Sequence, residues 1–359
     1  MDKFNSRHII FLILGTGIVS LKTYPTVFTK VGGRDSWVAI IISSILIIIY
    51  FLYMINLCRK TKTYSLYEIF KGAYGKIIGT VLMVVYMLML FLTLIESSAV
   101  EANSMHTNML LSTPQWFFLI FFIIPAIYTV KKGKVAIITV TIIGIVLIMI
   151  AGINLAMLTA KYKKFQYLFP IFKDGITMNF LITIVKTLGL YGSVSIVLPY
   201  LSEIKDTKHI IKDSLIGLII LIQMQIVSVT GVIMTFGINR GNLISYPKLI
   251  QTQRVSLFDF LEMGELFVML QIVGGWFIKY VLTFFALTKL LKDLNINNKY
   301  IHYVISTIVF LFSFFAANNL FTLFKLLDYY TYISFVGFII IPLITFIMYS
   351  IRKNGKNLS

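Results

Sequence analysis

Apolar residues gather along this chain in ten long blocks, at about residues 9–29, 36–57, 78–100, 115–130, 134–160, 179–200, 212–237, 265–290, 300–318 and 331–350. A bilayer core of about 30 Å needs about 20 apolar residues in a helix. All ten blocks meet or approach that length, the fourth being short. The pattern predicts an all-α integral membrane protein of about ten transmembrane helices in a single domain over 1–359. The first block follows Lys3 and Arg7, and no small-residue cleavage site follows it. It reads as the first membrane helix, not a cleaved signal.

Two connections carry structure of their own. The stretch Thr61–Gly75 places Tyr64, Leu66, Tyr67, Ile69 and Phe70 among basic residues, which predicts a short amphipathic helix on the membrane surface. The stretch Asn239–Glu262 reads as a loop ending in a short helix, Ser256–Leu261, with Asp259 three residues after Ser256 as a helix-start pattern.

Composition excludes a soluble domain. The 359 residues are 58% hydrophobic and 13% charged, with a mean hydropathy of +0.89. Average chains are about 45–50% apolar and about 25% charged. The net charge of +18 sits mostly in short links between blocks. That placement fits lipid headgroups and topology control; no nucleic-acid partner is expected. With a cytoplasmic N-terminus, nineteen Lys and Arg fall on the cytoplasmic side and ten on the other, so both termini are expected to be cytoplasmic. Cys58 alone cannot build a disulfide framework, and His8, His106, His209 and His302 lack ligand spacing. No metal, cofactor or catalytic motif is expected, and hence no enzyme.

A weak internal echo is the most informative motif. Gly15–Pro25 reads GTGIVSLKTYP and Gly189–Pro199 reads GLYGSVSIVLP. Each opens on Gly, has a second Gly within four residues and carries Pro at its eleventh position. Gly and Pro weaken helices, and unwound backbone in lipid survives only where it lines a cavity. Interrupted helices at matching places in two halves mark a transporter binding site near the midplane. Five helices separate the pair, so the pattern predicts an inverted five-plus-five repeat, about 8–160 and 178–351. Two matched spacings also arise by chance, because Gly and Pro are ordinary in membrane helices.

Half-helix ends offer N–H groups to a carboxylate and carbonyls to an ammonium. The candidate cradle is Gly15, Thr16 and Gly17 with Gly189, Leu190, Tyr191, Gly192 and Ser193. A small amino acid fits it; a purine, a sugar or an inorganic ion stays open. Three lysines lie inside apolar blocks: Lys22, Lys186 and Lys279. Lys279, at mid-depth, marks a functional site by default: it meets a ligand carboxylate, stands where a transporter holds Na⁺, or bonds carbonyls structurally. Lys22 and Lys186 are near enough to a surface to snorkel. Glu96 is a possible charge partner for a lysine, or lines an access path, or is a simple interfacial carboxylate, and Glu101 lies on the same block. Glu262 and Glu265 suit a helix start, and Asp328 reads as a cap before the last helix.

The Gly15–Pro25 segment, LGLYGSVSIVLPYL (188–201) and YPKLIQTQRVSLFDFLEMGELFVML (246–270) together resemble the B-subunit family of endospore germinant receptors, in the amino acid–polyamine–organocation transporter superfamily. The resemblance implies a leucine-transporter-like fold with helices 1 and 6 broken, and location in the inner membrane of the spore. It implies partnership with an A subunit and a lipid-anchored C subunit, and recognition of a nutrient that triggers germination. Leu92 and Lys279 would face the pocket beside the two breaks. Many family members carry Glu in the helix-six break, where Ser193 stands here, so ligand identity does not carry over. A proton- or sodium-coupled amino acid permease is the alternative, and a membrane scaffold with a vestigial pocket a third reading.

Overall fold

The first apolar block folds as three helical pieces: α1 (His8–Gly17), α2 (Ser20–Thr23) and α3 (Thr26–Gly32). Ile18 and Val19 separate the first two. Tyr24 leaves the helical region (φ −127°, ψ 59°) because the ring of Pro25 crowds the residue before it. This computed structural model describes residues 4–173, 175–253, 255 and 263–356.

The rest of the first half is α4 (Ser36–Thr61), α5 (Leu66–Tyr74), α6 (Lys76–Asn108), α7 (Gln115–Lys131) and α8 (Lys134–Leu158). The expected amphipathic helix is α5. Its start is capped by the Ser65 side chain, which accepts from Glu68 N at 3.4 Å, and Leu66, Ile69, Phe70 and Ala73 form its buried face.

The second half opens with α9 (Met178–Tyr191). This helix tightens at Gly192 into a 3₁₀ helix that runs to Glu203. Runs of 3₁₀ longer than three or four residues are uncommon and mark hinges or strain. So the Gly–Pro signature changes the helix pitch here instead of unwinding it. Then come α10 (Ile210–Gly241), kinked at Gly237 (φ 66°), and α11 (Pro247–Gln253). The bundle closes with α12 (Met263–Asp293), α13 (Ile301–Ala317), α14 (Leu320–Ser334), a π turn (Phe335–Ile340) and α15 (Ile341–Lys356).

Among the described residues seven helical stretches are long and apolar enough to cross a membrane, and His8–Thr23, Gln115–Lys131 and Ile301–Ala317 add three shorter apolar ones, in line with the ten expected. One expectation changes. The last span starts at Leu320, where Asn319 accepts from Thr322 N at 3.0 Å, so Asp328 lies inside α14 and is no cap. The connection after α10 carries α11, opening on Pro247, a residue suited to a first helical position. The expected helix Ser256–Leu261 and Glu262 lie outside the described residues, as does the Glu265 side chain.

Helix α12 holds the centre, packing against α1, α6, α7, α8, α11 and the 3₁₀ segment. Ile45, Ile77, Phe121, Ile143 and Phe315 are exposed on the bundle's flanks, as a lipid-facing surface requires. Lipid supplies no hydrophobic drive between helices, so small residues and buried polar bonds set the contacts. Gly189 is such a contact: a Cβ there would fall on the Thr331 carbonyl of α14.

Candidate ligand site at the first-span break

Helices α6 and α12 meet α2 at the first-span break, and together they hold an ion pair in the buried centre. Lys279 is fully buried, 0% exposed, near the middle of α12. Its Nζ donates to Glu96 Oε2 of α6 at 2.6 Å and to Ser20 Oγ of α2 at 2.7 Å. Ser20 Oγ in turn donates to Glu96 Oε1 at 3.1 Å, and the Tyr24 hydroxyl donates to the same oxygen. The Lys279 ammonium lies 5.0 Å over the Trp276 ring, which stacks on Tyr24 at 6.1 Å. An ammonium and a carboxylate at such depth are tolerable only with every proton and lone pair engaged. Ser20, Tyr24 and Trp276 do that work, and the sequence reading passed over all three. Their signals were Trp276 three residues before Lys279, on one helix face, and Tyr24 at the Pro25 kink.

The glycines of the expected cradle serve packing. Gly15, Thr16 and Gly17 are still helical, at the end of α1. A Cβ on Gly15 would lie 2.7 Å from Ile278 Cγ2 and Leu282 Cδ1 of α12, and one on Gly17 2.6 Å from Leu221 Cδ2 of α10. The Thr16 hydroxyl bonds back to Leu12 O at 3.0 Å. The carbonyl of Gly17 accepts from Gln225 Nε2 at 2.7 Å. The interruption therefore falls just beyond Gly17, at Ile18–Val19.

At the second break, Gly189, Leu190 and Tyr191 end α9, and Gly192 and Ser193 open the 3₁₀ segment. The Tyr191 hydroxyl pairs with Ser44 Oγ at 2.9 Å, and Ser193 Oγ donates to Leu190 O at 2.9 Å. Lys186 does not snorkel. It donates to Val27 O at 3.1 Å and ion-pairs Asp328, fastening α9 to α3 and α14. Leu92 was expected to face the pocket. It instead lines a side groove of about 230 Å³ between α6, α13 and α14, with Phe312 and Leu326; Glu96 and Tyr330 also reach that groove.

The family model described as "Spore germination protein" matches residues 4–322. The chain belongs to the spore germination permease family. It is 26% identical over 313 residues to spore germination protein A2 of Bacillus subtilis (strain 168), spanning 84% of this chain and 82% of that protein. Among solved structures, the permease resembles a Na⁺-coupled sialic acid symporter in a substrate-bound, outward-open state. The TM-score is 0.61 at 12% identity, over 94% of this chain and 79% of that one. That likeness shows the fold. It is the leucine-transporter-like five-plus-five architecture, with the first span interrupted at Ile18–Val19 and the sixth changing from α to 3₁₀ at Gly192. The permease is thus an integral membrane protein of germination, built as transporters are.

Helix α11 buries one more titrating group near the break. Gln251 Nε2 donates to Gly231 O at 3.0 Å and Thr235 Oγ1 at 2.6 Å, and its Oε1 accepts from Lys248 Nζ at 2.9 Å. Burial first, and then the neighbouring Lys163 charge, bring the Lys248 ammonium down to about 8; Lys22 also faces it. The unfolded chain keeps a lysine protonated to about pH 10.4. Between about pH 8 and 10 the unfolded state therefore binds the extra proton, and stability rises with pH; below pH 8 the penalty is present in full. The purified wild-type permease should gain melting temperature across that window relative to Lys248→Met. Parallel curves for the two proteins would remove Lys248 as the cause.

Proposed function

We propose that the permease is the nutrient-sensing subunit of a germinant receptor, binding a small zwitterion, an amino acid, beside α2. The observation that carries this reading is the buried Lys279–Glu96 pair, bridged by Ser20 at the break of the first span. An ammonium and a carboxylate side by side are the mirror of a zwitterion. A ligand inserted there gives its carboxylate to Lys279 and its ammonium to Glu96, and the residues next to both helix breaks shape its side-chain pocket. Binding shifts the scaffold between states only by the ligand's differential affinity for them, and α2, a single turn that carries Ser20 against the pair, is the piece that moves.

In this reading the protein is no enzyme. It works in the inner membrane of the spore with both termini on the core side, beside A and C subunits and membrane lipid, and passes the change in state to those partners. A coupled amino acid permease is the second reading, favoured by the symporter-like fold. Against Na⁺ coupling stands Lys279, whose ammonium occupies the centre.

Spores carrying Ser20→Ala, with protein amounts checked by immunoblot, test the site. The change removes two hydrogen bonds at the pair without unpairing either charge. The half-maximal nutrient concentration for dipicolinic acid release should rise about tenfold, the equivalent of about 1.4 kcal/mol. Nutrient uptake by wild-type spores, followed in parallel, should stay at background. Uptake that tracks the variant favours the permease reading, and an unchanged dose-response sinks the site beside α2.

A further inference from the structure

On the other side of α2, away from the Lys279–Glu96 pair, a cavity of about 180 Å³ opens between α8, α10 and α12 beneath α11. Three lysines line it: Lys22 from α2, Lys163 from the connection after α8, and Lys248 from α11. Lys22 and Lys248 are buried. Among the described residues none of the three has an ion-pair partner, and no carboxylate lines the cavity. Each ammonium is held by a neutral oxygen: Lys22 by Gln271 Oε1 at 3.4 Å, Lys248 by Gln251 Oε1 at 2.9 Å, Lys163 by Ala156 O at 3.2 Å. Buried cations so arranged repel one another and forgo their hydration. A second sign of a missing partner is Ser228, 8% exposed, which lines the same cavity and whose Oγ has no hydrogen-bond partner among the described residues.

We propose that this cavity is an anion site, taking a carboxylate or phosphate oxyanion. One oxyanion would accept from the lysines and from the Ser228 hydroxyl at once, which a monatomic ion cannot do with equal reach. The volume compares with the roughly 150 Å³ that holds one benzene, so the whole ligand, or the inserted part of it, has about six to ten heavy atoms. Met149, Ile153 and Met224 leave an apolar wall for a short aliphatic portion. Ile153, Gln223 and Val227 stand exposed at the mouth between α8 and α10, on the bundle's flank. The oxyanion therefore comes either from a soluble molecule or from the headgroup of an acidic lipid. This site goes beyond the nutrient reading and does not depend on it.

The test is the melting temperature of the full-length permease in phosphatidylcholine nanodiscs, titrated with succinate or inorganic phosphate against KCl at matched ionic strength. Wild type should rise by several degrees with either oxyanion. Lys22→Met and Lys248→Met should melt at or above ligand-free wild type, since each removes an uncompensated charge, and neither should respond. A lysine with a merely structural role would give the opposite sign, a lower starting point. Ser228→Ala, which disturbs no protein contact, should fold as wild type and need about tenfold more succinate, so the proposal stays testable if a lysine variant fails to fold. Repeating the series in phosphatidylglycerol nanodiscs separates the sources: a headgroup in the site raises wild type over Lys248→Met and leaves succinate nothing to add. Wild type and Ser228→Ala behaving alike with succinate, with phosphate and in both lipids would overturn the proposal.

Discussion

Glu96→Gln lowers the stability of the permease by about 3–5 kcal/mol, the cost of leaving a buried charge without its partner. Lys279 is 0% exposed and its other donor contact is to the neutral Ser20 hydroxyl, so nothing nearby replaces the carboxylate. The Tyr24 hydroxyl and Ser20 also lose their charged acceptor. The double variant Glu96→Gln, Lys279→Met removes both charges and should recover most of the loss, because an apolar pair of similar volume is often as stable as a buried ion pair. Denaturant melts of the two variants in the same detergent decide the matter. A single variant within about 1 kcal/mol of wild type would mean that Lys279 sheds its proton and never needed Glu96. The double variant, folded yet unresponsive to nutrient, is the expected signature of a sensing pair.

Gly189→Ala has the second large effect, and it is structural. The new Cβ would land on the Thr331 carbonyl oxygen, 2.9 Å from its carbon and 3.3 Å from Phe335 N. These are backbone atoms with no rotamer to turn aside, so α9 and α14 must part. That separation strains the Lys186–Asp328 pair and the bond from Ser334 Oγ to Gly189 O at 2.7 Å. Overpacking of this kind costs about 3 kcal/mol. Gly15→Ala is the milder case: its nearest atoms are side-chain methyls, Ile278 Cγ2 and Leu282 Cδ1, not backbone, and making room for it costs about 1–2 kcal/mol. Melting temperatures and protein amounts in spores should rank wild type, Gly15→Ala, Gly189→Ala, in that order. Equal melting temperatures for the two variants would contradict the close crossing. A germination defect in Gly189→Ala therefore reports folding, not ligand contact.

The ten spans were legible because bilayer thickness sets a length that apolar runs must match. The break in the first span was legible to within a few residues: Gly15 and Pro25 bracket it, but packing against Ile278 and Leu221 keeps Gly15–Gly17 helical and moves the break to Ile18–Val19. Helix α14 began eleven residues before its expected apolar block, since Lys325, Asp328 and two tyrosines give its first half a loop-like composition. Asp328 is tolerated there because Lys186, 142 residues earlier, reaches it. Lys279 stood out as an isolated charge and Glu96 as a candidate partner. Their pairing, across 183 residues, needed the fold. Leu92 came from family resemblance, and the structure places it in the groove between α6, α13 and α14 that Glu96 also reaches. The lysine cavity was invisible in the chain, since it draws one residue each from a broken helix, a loop and a short helix.

Helix α2 is a single turn, four residues long, with a different charge environment on each side. Ser20 is held by the Lys279–Glu96 pair, and Lys22, two residues on, lines the lysine cavity. A turn so short cannot tilt at one end and stay fixed at the other. With a nutrient beside α2, as proposed, and an anion in the cavity, the two would be coupled: whatever factor the anion applies to nutrient affinity, the nutrient would apply to the anion's in return. A dormant cell reading its medium through this protein would answer to the ionic company a nutrient keeps as well as to the nutrient itself.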